Sequence, residues 1–202
     1  MKKQFAVAAE RRAGPIVRRH GLLVLFQMTS EKFCQMPESE TVKLELLDGE
    51  VIVMPRATTF HQYFLLELAI IVSQWAKKTK LGRVLPDTLM MLDEKWTPTP
   101  DLVFVAKHHL KRVKGKRIEG PVDLAVEALS PGTARVDRRT KFGAYASYGI
   151  PWYWIVDLKA RVLEEYELVD GKYANLVEAT FDEPFEPRLF PGLVTDLASL
   201  EW

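Results

Sequence analysis

The chain has 202 residues, of which 48% are hydrophobic and 27% charged, and a net charge of +1. That fits one globular domain, able to bury a core without staples, and it argues neither for nor against a nucleic-acid partner. A single cysteine, Cys34, excludes an intramolecular disulfide and a cysteine-based zinc cage.

Six basic residues (Lys2, Lys3, Arg11, Arg12, Arg18, Arg19) and one acid, Glu10, fall in 1–27, leaving an excess of four acids in the remainder. Residues 1–27 hold no clean period and contain a Gly14-Pro15 turn signal. They read as a basic N-terminal extension, either a true arm or sequence ahead of a start at Met28, with one domain over 28–202. The apolar run Leu22-Leu23-Val24-Leu25-Phe26 has five residues, short of a signal-peptide core of about 7–15. No run approaches the roughly 20 residues that span a bilayer. The expected setting is the cytoplasm, away from membranes.

Thr29-Ser30-Glu31 reads as a helix cap with an acidic first turn, predicting a helix over 30–36 that stops before Pro37. Alternation over 42–46, then Asp48-Gly49, then an apolar 51–54 predicts a hairpin. Phe64, Leu65, Leu68, Val72, Trp75 and Ala76 recur at helical spacing, so 60–78 is an amphipathic helix capped by Thr58 or Thr59 and ended by Gly82. Strands follow at 83–92, 101–105 and 122–129, with a basic loop over 106–120. A helix is predicted over 135–148 and a strand covered on both faces over 152–156. A second hairpin turns at Asp170-Gly171. There is no internal repeat. The order implies an α/β fold, a mixed sheet flanked by helices.

Pro100-Asp101 puts an acid at the mouth of an apolar strand, either a solvated strand end or a placed ligand. Glu127 lies inside the apolar run 122–129, on the face of Asp123 and Ala125. A carboxylate there needs a partner or holds its proton. Lys141 and Tyr145 share a helix face. Lys111, Arg112, Lys114, Lys116, Arg135, Arg138 and Arg139 form basic flanks, either a solvated face or a surface for DNA backbone phosphates. Two strand carboxylates, a lysine and basic flanks together suit magnesium or manganese chemistry on a phosphodiester. No glycine-rich phosphate loop and no Gly-x-Ser-x-Gly elbow is present.

Taken in order, Leu44-Glu45-Leu46-Leu47-Asp48-Gly49-Glu50, His61, Pro100-Asp101-Leu102-Val103-Phe104-Val105, Glu127-Ala128-Leu129-Ser130-Pro131-Gly132-Thr133, Lys141-x-x-x-Tyr145 and Tyr153-Trp154-Ile155-Val156-Asp157 resemble the Uma-two family. These are endonucleases of the PD-(D/E)XK, restriction-endonuclease-like superfamily, and the resemblance covers about residues 28–200. It implies a restriction-endonuclease-like core and a magnesium-dependent DNA endonuclease, with manganese able to substitute. Asp101 and Glu127 would be the metal ligands, with the Ala128 carbonyl as a third oxygen. The superfamily lysine would stand at Leu129; the resemblance assigns its role to Lys141. Glu45 matches a recurrent hairpin acid that would complete the site, and His61 and Tyr145 would be accessory. Trp152 and Gly132 depart from the family's usual acid and serine without touching the ligands. The displaced lysine keeps open a silent nuclease fold that binds DNA or another protein. A homodimer, two sites for two strands, is the oligomeric expectation from this architecture.

Overall fold

The computed structural model describes residues 17–37 and 42–201. The Gly14-Pro15 turn and Lys2, Lys3, Glu10, Arg11 and Arg12 lie outside them. Strands β1 (Val17–Arg19) and β2 (Leu22–Gln27) are followed by the short helix α1 (Ser30–Cys34), then β3 (Lys43–Leu47) and β4 (Glu50–Met54). These four strands form one sheet in the order β1-β2-β4-β3. Asp48 and Gly49 both take positive φ, 51° and 76°, which matches a two-residue turn to the twist of its strands. His20 and Gly21 do the same between β1 and β2, at 53° and 89°. So 17–27, expected as an extension without periodicity, forms a hairpin whose inner strand pairs with β4, Val24 opposite Ile52. Leu22 and Val24 are buried there against Leu47, Ile52 and Met54.

Helix α2 (Thr59–Thr79) buries His61, Phe64, Leu68, Val72 and Ala76, and the Thr58 side chain accepts the His61 N–H at its cap. The helix does not end on Gly82. Lys80 closes it in the left-handed conformation, and Gly82 opens β5 (Gly82–Pro86). A Cβ at Gly82 would stand 2.5 Å from the Val105 carbonyl and from the Phe104 ring, so only glycine lets β5 approach β7 (Leu102–Ala106). Gly82→Ala is expected to lose about 1–3 kcal/mol, the range for overpacking. An unchanged urea midpoint would refute that.

The expected strand 83–92 is two strands. Asp87, at φ 43°, turns the chain after Pro86, and β6 (Leu89–Met91) leaves for a small sheet with β8 (Val113–Lys114) and β9 (Arg117–Glu119). The basic loop is thus partly structured, with a 3₁₀ turn at Lys107–Arg112. Strand β10 (Leu124–Ala128) leads into a π-helical turn at Val136–Lys141 and then α3 (Phe142–Ser147), where one α-helix was expected. The chain then returns through β11 (Trp152–Asp157) and the hairpin β12 (Val162–Val169) and β13 (Lys172–Thr180). Two short strands, β14 (Pro184–Phe185) and β15 (Thr195–Asp196), close the chain.

The main sheet has six strands in the order β13-β12-β11-β10-β7-β5. Only the β10–β11 pair is parallel, joined across the π turn and α3, so the sheet is mixed. Side chains alternate across it. Leu102, Phe104, Leu124, Val126 and Trp154 pack with Phe64 and Leu68 of α2. Val103, Val105, Ala125, Tyr153 and Ile155 pack with Tyr145 of α3. This mixed sheet flanked by helices is the α/β architecture that was expected. No described helix is long and apolar enough to cross a membrane.

Candidate active site

The pairing of β7 and β10 creates the site. Leu102 lies opposite Val126, so the next step outward brings Asp101 toward Glu127 on the same face. Asp101 Oδ2 accepts the Ala128 N–H at 2.9 Å, extending the ladder with a side chain where a carbonyl would otherwise stand. Strand β3 approaches from the other sheet through the isolated bridge between Leu46 and Thr97. It delivers Glu45, fully buried, and Lys43, whose Nζ is 3.3 Å from Asp101 Oδ1 and 2.9 Å from Asp87.

The π turn supplies the remaining cation. Lys141 Nζ is 3.0 Å from Glu127 Oε1, 3.0 Å from Glu45 Oε2 and 3.4 Å from Asp137 Oδ1. Tyr145 OH donates to Glu127 Oε1 at 2.8 Å. His61 Nε2 donates to the Ala128 carbonyl at 2.8 Å and lies 3.7 Å from Asp101 Oδ2. All but Tyr145 line one cavity of about 50 Å³, with Arg56 and Thr133 at its wall. It has room for a few waters. A larger groove of about 840 Å³ runs from Asp101 and Lys43 along α2 to Leu89 and Lys116.

Burial pushes the Glu127 carboxyl well above the usual carboxylate range, against the pull of Lys141. Glu45 and Asp137 are raised for the same reason. Burial alone would lower the Lys141 ammonium, but Glu127, Glu45 and Asp137 together outweigh it and hold the group well above the ordinary lysine range. Tyr145 is raised by burial, then by Glu127 and Glu45, so it stays a donor. Four carboxylates against Lys43, Lys141 and the Arg56 at the wall would leave one excess negative charge if all ionised. The cluster must keep protons or take up a cation.

A contrast within the molecule bears on that choice. Glu165 is equally buried, yet Trp154 Nε1 and the Arg188 N–H each satisfy one of its oxygens at 2.9 Å. Glu45 Oε2 and Asp137 Oδ1 have no such separate donors and share the Lys141 ammonium, at 3.0 and 3.4 Å. A set of oxygen donors with excess negative charge suits a hard divalent ion of the magnesium class. Asp101, Glu127 and the second lone pair of the Ala128 carbonyl could hold one.

The expected residues Glu45, Asp101, Glu127, Ala128, His61, Lys141 and Tyr145 thus come together. The basic flanks do not gather around them as a set. Lys116 lines the groove, whereas Lys111, Lys114, Arg135 and Arg139 are exposed and line neither cavity. Arg112 donates to the Pro121 carbonyl, and Arg138 is paired with Glu164 at 2.6 Å. Asp137 and Lys43 were missed. The one cue for Asp137 was its i,i+4 spacing to Lys141.

No curated protein matches this chain. The fold is similar to a crystal structure at 1.96 Å resolution of a "putative nuclease belonging to DUF820" from Anabaena variabilis ATCC 29413. The TM-score is 0.70 at 17% identity, over 86% of this chain and 97% of that one. The profile of the Uma-two (Uma2) family, described as "Putative restriction endonuclease", matches residues 30–198, and the chain belongs to that family.

Proposed function

We propose that this chain is a divalent-metal-dependent endonuclease that hydrolyses phosphodiester bonds of DNA. The observation that carries the reading is the convergence of Glu45, Asp101, Glu127 and Lys141 in one cavity at the end of a groove. Asp101, Glu127 and the Ala128 carbonyl would hold magnesium, with manganese able to replace it. Such an ion, when bound, lowers the pKa of a coordinated water and offsets charge growing on the phosphate.

The chain's own groups do the rest. Lys141 keeps its proton, so it serves as a donor that orients the attacking water and stabilises the phosphoryl oxygens, not as the base. Glu45 and Asp137 fix the ammonium, and Tyr145 OH fixes Glu127 Oε1. His61 Nε2–H aims the Ala128 carbonyl. Lys43 and Lys116 along the groove meet the flanking phosphates.

Plasmid DNA incubated with the purified protein and manganese is expected to be nicked or linearised, and EDTA is expected to stop it. Cleavage that survives EDTA would overturn the metal-dependent reading. If no cleavage occurs although the metal binds, the chain is a silent nuclease fold that acts by binding.

A further inference from the structure

His108 and His109 sit on the 3₁₀ turn that follows β7, and Asp123 stands just before β10. Antiparallel pairing of these strands, Phe104 opposite Leu124, brings the turn and Asp123 together. Asp123 is pinned: its N–H donates to the Phe104 carbonyl at 3.0 Å, and its Oδ2 accepts the Ala106 N–H at 2.7 Å. Its second oxygen, Oδ1, lies 2.9 Å from His109 Nδ1. The two imidazole rings are 3.9 Å apart between centroids. One ligand atom from each of the three residues lies within 4.8 Å of the others.

We propose that His108, His109 and Asp123 form a second metal site, for a transition metal of the zinc class. The donor chemistry separates it from the acid cavity. Two imidazoles and one carboxylate favour zinc, cobalt, nickel or copper, whereas the oxygen donors of the cavity favour magnesium. Ligand atoms around tetrahedral zinc stand about 3.4 Å apart, from bond lengths near 2.1 Å. His109 Nδ1 donates to Asp123 Oδ1 at 2.9 Å, so a metal would replace that proton and open the pair to about 3.4 Å, with His108 exposed beside it. The backbone bonds to Asp123 hold the carboxylate in place beforehand. A metal here would clip the turn carrying Lys107, Lys111 and Arg112 to the mouth of β10.

Cobalt(II) tests this, because its visible absorption reports nitrogen and oxygen coordination. The wild-type chain is expected to bind cobalt at about 10 µM or tighter, with zinc competing and millimolar magnesium not competing. Asp101→Asn, which alters the acid cavity, is expected to keep the signal. The double change His108→Asn with His109→Asn is expected to weaken binding at least about tenfold. His108→Asn alone, at an exposed position, gives the same reading if the double variant does not fold. Absence of a signal below about 100 µM cobalt, binding unchanged in the histidine variants, or loss of the signal in Asp101→Asn overturns the proposal.

Discussion

Asp101→Ala and Glu127→Ala are each expected to lower DNA cleavage by about 10³-fold or more, the scale on which preorganised charge at a reacting centre acts. The two differ in their side effects. Asp101 is partly exposed, and its removal leaves Lys43 with Asp87. That variant is expected to lose about 1–3 kcal/mol, because the buried Ala128 N–H is left without its acceptor. Glu127 is buried and takes hydrogen bonds from Lys141 and Tyr145, so its loss costs stability as well. Melting curves beside the cleavage assay separate the two effects. Full activity in either variant would remove that residue from the mechanism.

Lys141→Met is expected to destabilise the fold by about 3–5 kcal/mol, because it strips the shared counter-charge from three buried acids. For a chain of this size that corresponds to a drop of about 10 °C in melting temperature. The loss has a sign with pH. Glu45, Glu127 and Asp137 carry carboxyls raised by burial, so the folded state holds their protons more tightly than the unfolded state does. Their contribution to stability is present at low pH and fades as pH rises above the ordinary carboxylate range. The variant is therefore expected to be closest to wild type near pH 5 and weakest near pH 8. Millimolar magnesium is expected to restore part of the loss at pH 8, since a ligand of the folded state stabilises it by mass action. Adding Asp137→Asn to Lys141→Met is expected to recover part of the stability and none of the cleavage. A variant that melts like wild type at pH 8 without metal would refute the clustered-charge reading.

The sequence was most readable where a local rule had no competitor. Asp48-Gly49 and Asp170-Gly171 announce their turns, and the apolar period of 60–78 lies within the observed Thr59–Thr79 helix. The acids on β7 and β10 were readable because alternation fixes which face each occupies. What escaped depended on tertiary context. His20-Gly21 makes the same turn as Asp48-Gly49 but without the usual residue at its first position. Asp87 turns the chain inside what reads as one strand, because β6 pairs with β9 and not with β7. The π turn leaves no trace in a helical period. Asp137, set between Val136 and two arginines, looks like part of a solvated face until Lys141 folds over it.

The acid cluster is assembled across a seam. Glu45 belongs to the four-stranded sheet, Glu127 to the six-stranded sheet, and Lys141 to the connection that follows β10. The ammonium therefore works as a clasp: parting the two sheets would pull Glu45 from its only charged hydrogen-bond donor among the described residues. A closed fold and the proposed phosphodiester chemistry then depend on the same side chains. A change that removes the proposed chemistry at Lys141 is expected also to loosen the join between the two sheets.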